Sequence, residues 1–214
     1  MKKTNSIGVF DSGIGGLTVG HQIAKLMPNE HIIYFGDTKH LPYGDKSADA
    51  IKSYSKKITN FLIEQQCKMV VIACNTASAL AFKEVLECCK GLAIVLNVID
   101  PVAEHTSKSK AKKIGVIGTK NTIASNAYSA KLGELNKNVT IASLPTPLLV
   151  PMIEEGFYND KISTSIISNY LENKVLENID HLILGCTHYP LIEDEINNYY
   201  ENKVVIVNSA KIVS

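Results

Sequence analysis

Two cysteines, Cys74 and Cys186, are the residues of this sequence best suited to chemistry. Each ends a short apolar run and is followed by hydroxyl, amide or imidazole residues, in the segments IACNT and LGCTH. A thiol placed just before a helix meets the free N–H groups and the positive dipole end of that helix, and both favour a thiolate. One such cysteine would more often be a small core residue. Two in equivalent settings favour a function.

Three chemistries stay open on the residues alone. A cysteine hydrolase needs one thiol with a histidine base and an orienting third group. A redox pair needs two thiols close enough to bond. Racemisation needs two acid/base groups on opposite sides of a planar intermediate, which a pseudo-symmetric cleft supplies directly. The remaining cysteines, Cys67, Cys88 and Cys89, lie in or near predicted helices and lack such a setting.

Composition limits the partners. The chain has 214 residues, 45% of them hydrophobic and 20% charged, with a formal net charge of +1, which indicates a folded globular protein. The near-neutral charge argues against a nucleic-acid groove. All 22 basic residues are Lys. Without Arg, an anionic substrate must be held by backbone N–H groups, hydroxyls, amides or Lys.

The sequence also predicts a compartment. The odd number of cysteines, without paired spacing or a signal-peptide pattern, argues against a secreted disulfide framework. No Cys/His cluster has zinc spacing, and the longest apolar runs are too short to span a bilayer. We therefore expect a reduced, cytoplasmic protein with no metal, no membrane association and no nucleic-acid partner.

Short apolar runs alternate with amphipathic stretches, which is typical of parallel sheets covered by helices on both faces. Ligands of such sheets bind at the carboxyl ends of the strands. Those ends carry Asp11, Asp37, Cys74, Thr119, Cys186 and Asn208. The predicted strands are residues 7–10, 32–36, 69–73, 93–98, 114–118, 139–143, 181–185 and 204–207, and the clearest predicted helices are residues 48–66, 78–90 and 162–176.

An internal repeat suggests two related halves. IGVFDS at residue 7 resembles IGVIGT at residue 114, an offset of 107 residues, and VVIACNT resembles LILGCTH at an offset of 112. We predict an α/β fold of two pseudo-symmetric three-layer α/β halves, with mostly parallel central sheets facing a shared cleft. The first domain is expected to span residues 1–98 and to be rejoined by residues 208–214, and the second to span residues 99–207.

Several segments together resemble the signatures of bacterial glutamate racemases, within the aspartate/glutamate racemase family. Aspartate- and hydantoin-type racemases share the paired cysteines but lack this full set. The segments are GVFDSGIGGLT (8–18), PYG (42–44), ACNTASA (73–79), GTKNTI (118–123), SNAY (125–128), PLLVPMIEE (147–155) and LGCTHYP (184–190).

The resemblance implies cofactor-independent interconversion of L- and D-glutamate, with D-glutamate supplying peptidoglycan synthesis and hence cell-wall biogenesis and cell shape. It implies that Cys74 and Cys186 each remove the α-proton of one enantiomer, that Asp11 and His188 assist them, and that the chain forms a homodimer. Asp37 and Glu154 match further acidic positions near the cleft. The implied substrate contacts are Asp11, Ser12, Tyr43, Gly44, Asn75, Thr76, Thr119, Thr122, Thr187 and His188.

Structural roles remain open for some of these residues. Asp11, Asp37 and Asp100 could cap the helices that follow them. The other histidines, His21, His31, His40, His105 and His181, have no constellation around them and are interpreted as surface or core residues.

The sequence departs from the family pattern in three places. Asn208 stands where Asp is frequent, and residues 39–41 (KHL) replace a segment that commonly contains Arg. Family members continue beyond the segment resembling residues 204–210, so a shortened C-terminal tail is expected. Two alternatives follow: a racemase of another acidic amino acid such as aspartate, or a glutamate-binding protein without turnover.

Overall fold

The computed structural model describes residues 5–213, in which eight strands alternate with helices. The strands are β1 (Ile7–Asp11), β2 (Ile32–Gly36), β3 (Met69–Ile72), β4 (Ile94–Asn97), β5 (Lys113–Gly118), β6 (Thr140–Pro145), β7 (His181–Gly185) and β8 (Val205–Asn208). The helices are α1 (Leu17–Leu26), α2 (Ala48–Glu64), α3 (Asn75–Cys88), α4 (Ile99–Ser107), α5 (Lys120–Ala124), α6 (Ala127–Leu135), α7 (Leu149–Glu154), α8 (Lys161–Leu171), α9 (Glu193–Tyr199) and α10 (Ser209–Val213).

The strands form two four-stranded sheets with the same order. The first is β2-β1-β3-β4 and the second β6-β5-β7-β8, and every pair is parallel. Ile7 pairs with Ile32 and Met69, and its counterpart Ile114 pairs with Ile141 and His181. This shared order confirms the predicted pseudo-symmetric α/β fold, and all eight predicted strands are present within two residues of the expected bounds.

Each sheet is covered on both faces because successive strand residues point to opposite sides. Phe10 and Val70 face α2 and α3, whereas Val9 and Val71 face α1 and α10. In the second sheet, Ile117 and Leu184 face α7 and α8, and Val116 and Ile183 face α4 and α6. Burying one such side chain stabilises the fold by about 1.5–3 kcal/mol, so these continuous apolar strands fix the three-layer arrangement.

The chain crosses between the sheets twice. After β4, Asn97 Oδ1 accepts the N–H groups of Ile99 and Asp100, each at 2.8 Å, and α4 packs on the second sheet. After β8, Ala210 of α10 packs into the core of the first sheet. The boundaries proposed from the sequence, residues 1–98, 99–207 and 208–214, fall at these crossings and stay a prediction. Residues 1–4 and 214 lie outside the described residues.

Helix bounds depart from the sequence prediction in two places. The helix predicted over residues 78–90 begins at Asn75, since Cys74 caps it. The helix predicted over residues 162–176 ends at Leu171, and a separate 3-10 turn, Lys174–Leu176, follows with Asn173 as its cap. In the part of the chain that the structure describes, none of the helices is both long and apolar enough to cross a membrane.

Candidate active site

The carboxyl ends of both sheets surround one cavity with a volume of about 200 Å³. Its walls come from the segments that follow β1, β2 and β3 in the first half and β5, β6 and β7 in the second. The lining residues are Ser12, Leu41, Pro42, Tyr43, Gly44, Cys74, Asn75, Thr76, Thr119, Val150, Pro151, Glu154, Cys186, Thr187 and His188.

Cys74 lies at the N-cap of α3. Its Sγ accepts the Ala77 N–H at 3.4 Å, and only 4% of the residue is exposed. Burial raises the pKa of Cys74 to about 12, and the charge of Asp11 adds to the rise, while hydrogen bonds from Ala77 and Ser12 oppose it. The expected thiolate-favouring effect of the helix is therefore present, but burial outweighs it.

Cys186 has a different setting from the one predicted. No α-helix begins directly after it, because a 3-10 turn, Tyr189–Ile192, with Pro190 in its first turn, precedes α9. The condition considered from the sequence, an α-helix directly after the thiol, is therefore met at Cys74 and not at Cys186. Burial raises the pKa of Cys186 above its ordinary value, and the backbone N–H of His188 and the Thr187 hydroxyl oppose the rise. Burial therefore outweighs the contacts that favour a thiolate at both cysteines.

His188 lies between Cys186 and an acid. Its Nδ1 is 3.6 Å from Cys186 Sγ, and its Nε2 is hydrogen-bonded to the Glu154 carboxylate. Because a carboxylate only accepts, Nε2 donates to Glu154, and Nδ1 faces the Cys186 thiol. Glu154 thus orients the histidine from the cavity wall.

Asp11 lies behind the cavity wall rather than in it. It is fully buried, and its Oδ2 accepts the N–H groups of Gly13 at 3.1 Å and Gly16 at 3.0 Å. Its Oδ1 accepts the Thr187 hydroxyl at 3.3 Å, which joins the two halves. Burial raises the pKa of Asp11, and the interaction with His188 is the largest opposing effect. Since α1 begins only at Leu17, Asp11 holds the connecting loop and does not cap that helix.

Three hydroxyls from the two halves form a closed ring. Thr76 Oγ1 lies 3.0 Å from Thr119 Oγ1 and 3.1 Å from Thr122 Oγ1, and the latter two are 3.0 Å apart. Thr76 and Thr119 line the cavity, whereas Thr122 lies behind them and is 1% exposed. Thr76 and Thr119 can each turn the single hydroxyl hydrogen from this ring towards a carboxylate, without a positive charge.

Asn75 lines the cavity and, among the described residues, has an unpaired buried donor. Its Oδ1 accepts the Tyr128 hydroxyl at 2.6 Å, while its buried Nδ2 has no hydrogen-bond partner within residues 5–213. A buried donor without a partner costs about 1–3 kcal/mol, so this amide is suited to an anionic ligand.

Asp37 also lies behind the wall. Its Oδ2 accepts the Tyr43 hydroxyl at 2.6 Å, and its Oδ1 lies 2.7 Å from His40 Nδ1. His40 in turn stacks on Tyr54 with ring centroids 4.0 Å apart. The interpretation of His40 as a histidine without functional neighbours is wrong. The spacing of Asp37, His40 and Tyr43 at i, i+3 and i+6 was the sequence feature that could have indicated this cluster. Asp37 caps no helix, and neither does Asp100, which accepts the Asn97 amide.

The structure therefore brings most of the predicted site residues to one cavity. Of that set, Asp11, Asp37 and Thr122 are the members that support the wall from behind. Sequence reasoning gave no role to the apolar wall of Leu41, Pro42, Val150 and Pro151, although the last three lie in the signature segments. It also missed Asn121, whose side chain bridges the two halves.

Comparison with known proteins gives a consistent result. A sequence model of the Asp/Glu/hydantoin racemase family matches residues 17–213. A glutamate racemase of Caldanaerobacter subterraneus subsp. tengcongensis is 44% identical over 89% of this chain and 68% of its own length. The glutamate racemase of Chlorobaculum parvum is 40% identical over 100% of this chain and 79% of its own length.

Solved structures agree. The Francisella tularensis glutamate racemase, in complex with D-glutamate, has a TM-score of 0.92 at 40% identity, covering 98% of this chain and 78% of that one. A Bacillus anthracis glutamate racemase has a TM-score of 0.93 at 38% identity, covering 99% and 79%. An aspartate racemase of Picrophilus torridus, 20% identical with a TM-score of 0.70 over 96% of this chain and 90% of that one, shares the fold.

Two α/β halves that each bring a cysteine to one cleft, with these relatives, define an isomerase of the amino-acid racemase class. The chain belongs to the Asp/Glu/hydantoin racemase family.

Proposed function

We propose that this chain interconverts L- and D-glutamate, with one of Cys74 and Cys186 removing the α-proton and the other protonating the opposite face of Cα. The observation that carries the proposal is that the first half supplies one thiol and the second half the other, and both line the same cavity. D-glutamate bound to the Francisella tularensis relative supports the choice of substrate. No cofactor takes part in the proposed reaction.

The proton balance needs one thiolate and one thiol at the start. His188 Nδ1 is placed to take the Cys186 proton, and hydrogen bonds from Ala77 and Ser12 stabilise a thiolate at Cys74. The thiolate removes the α-proton, so the Cα–H bond breaks and an S–H bond forms. The opposite thiol then protonates the planar carbanion on its other face. The two sulfurs exchange roles, and no net proton is consumed.

The site holds two carboxylates without Arg. The hydroxyl ring, the free Asn75 amide and Ser12 supply the donors of the lining, and Thr187, Tyr43 and Gly44 complete the contact set. A cavity of about 200 Å³ with an apolar side at Val150 and Pro151 leaves little room for water beside the substrate. Exclusion of water strengthens each of these hydrogen bonds in the transition state.

The wider role follows from the family resemblance. We propose that the product D-glutamate supplies peptidoglycan synthesis, that the protein is cytoplasmic and that it acts as a homodimer. Light scattering of the purified chain at several concentrations tests the last point, since a mass of one subunit at all of them would contradict it.

Optical activity tests the reaction itself. Pure L-glutamate and, separately, pure D-glutamate are incubated with the reduced protein and followed by circular dichroism. Both signals are expected to decay to zero, because the two enantiomers have equal free energy. L-aspartate is the matched substrate, one methylene shorter, and is expected to react at least tenfold more slowly. No decay with glutamate, or faster decay with aspartate, would overturn the proposal.

A further inference from the structure

Beside the cavity, one side chain joins the two halves by hydrogen bonds that take no part in the proton transfer. Asn121, in the first turn of α5, points away from the second sheet's core towards the segment after β2. Its Nδ2 donates to the carbonyl oxygens of Tyr43 at 3.0 Å and Lys46 at 2.7 Å. Both hydrogens of one amide thus hold one turn of the opposite half.

That turn forms part of the cavity wall. It is the 3-10 turn Tyr43–Asp45, and its Tyr43 and Gly44 both line the cavity. Tyr43 is 1% exposed and is held at two ends, by Asp37 at its hydroxyl and by Asn121 at its carbonyl. An anchored carbonyl also fixes the direction of the Gly44 N–H, because the Tyr43–Gly44 peptide is trans and its N–H and C=O point in opposite directions.

The same contact brings Gly44 close to the hydroxyl ring. A Cβ at Gly44 would lie 2.8 Å from Thr119 Cβ, so the turn and Thr119 leave no space between them. Thr119 Oγ1 is in turn 3.0 Å from Thr76 Oγ1. If the Asn121 bonds were lost, the turn could move away from Thr119, and the wall that faces the substrate would open.

We propose that Asn121 is a positioning residue that holds the Tyr43–Lys46 turn against the cavity and thereby sets the affinity for the substrate. This inference rests on the proposed function only for the identity of the ligand. Asn121 touches neither thiol and does not line the cavity, so it acts through the turn. Asn121 is expected to favour binding of the substrate and of the transition state equally. Its loss should therefore raise KM and leave kcat unchanged.

Two variants and one control test the role. Asn121→Ala removes both hydrogen bonds, and Asn121→Asp keeps the shape but sets a carboxylate against two carbonyl oxygens. The control, Asn136→Asp, makes the same change at another asparagine. Asn136 Oδ1 accepts the Asn138 N–H at 3.0 Å, and an aspartate oxygen can accept the same hydrogen bond. KM and kcat are measured with both enantiomers, together with the melting temperature and the Kd for D-glutamate.

Asn121→Ala is expected to raise KM and Kd about tenfold with kcat within twofold of the parent, and Asn121→Asp to raise them further. The control should leave KM, kcat and Kd unchanged. A purely structural role would lower the melting temperature and the apparent kcat and leave KM and Kd within twofold, which would overturn the inference. If the parent binds D-glutamate without racemising it, the proposed function fails, while the Kd comparison still decides the role of Asn121. A parent that does not bind D-glutamate overturns both.

Discussion

His188 Nδ1 lies 3.6 Å from Cys186 Sγ, whereas Cys74 Sγ accepts hydrogen bonds from the Ala77 N–H and from Ser12. The two thiols are therefore related by the repeat of the fold but not by their proton chemistry. Cys186 has an imidazole that can take its proton, and Cys74 has hydrogen-bond donors that stabilise its anion. A symmetric scaffold thus carries an asymmetric pair.

Removing the imidazole is expected to slow both directions equally. His188→Asn should lower kcat/KM about a hundredfold, the low end for loss of a general acid/base. The enantiomers are equally stable, so kcat/KM must stay equal in the two directions. The exposed His21→Asn on α1 is the matched control. Circular dichroism from both enantiomers measures the effect, and a loss below threefold would contradict the role of His188.

The pKa of Cys74 predicts a loss of stability in alkali. Burial raises this pKa from 9.0 to about 12, so above pH 9 the unfolded thiol ionises while the folded one stays protonated. Stability should then fall as pH rises from 9 to 12, by about 1.4 kcal/mol per pH unit at most for this thiol. The urea midpoints of unfolding at pH 8 and pH 10 measure this loss of stability. The midpoint of Cys74→Ala should fall less between the two pH values than that of the parent. An equal fall in both proteins would contradict the prediction.

The free amide of Asn75 is expected to bind a substrate carboxylate. Asn75→Asp retains an acceptor for the Tyr128 hydroxyl but replaces the free donor by an anionic oxygen. KM for glutamate should rise at least a hundredfold, since a hydrogen bond to a charged group is lost and like charges are brought together. Tyr128→Phe, which leaves the donor in place, is the control and should have a smaller effect. Equal effects of the two variants would count against the contact.

Gly15 is expected to be required for the position of His188. A Cβ there would lie 2.6 Å from His188 Cε1 and 2.8 Å from Thr187 Oγ1. Gly15→Ala should therefore lower kcat/KM at least tenfold, measured by circular dichroism. Gly133→Ala is the matched control, because a Cβ there meets nothing within 4 Å and the residue lies inside α6. It should keep full activity and gain up to about 1 kcal/mol of stability. Unchanged activity of Gly15→Ala would contradict this arrangement.

The strands could be read from the sequence because buried parallel strands are continuous apolar runs, and polar residues directly follow them. The cleft could be predicted as well, because Cys74 and Cys186 follow the carboxyl ends of parallel strands, where such sheets bind their ligands. The setting of Cys186 could not be predicted, because a 3-10 turn and an α-helix have similar periodicity over four residues. The Asn121 bridge depends on how the two halves approach each other, and no local pattern encodes that distance.

Isotope exchange tests the two-thiol mechanism most directly. Each enantiomer is incubated in deuterated buffer with Cys74→Ala or Cys186→Ala, and α-deuterium is followed by NMR. Both variants should lose racemisation, and each should retain slow exchange, without inversion, in one enantiomer only, the opposite one for each variant. Racemisation retained by either variant, or exchange of the same enantiomer by both, would contradict a mechanism in which one of Cys74 and Cys186 removes the α-proton and the other protonates the opposite face.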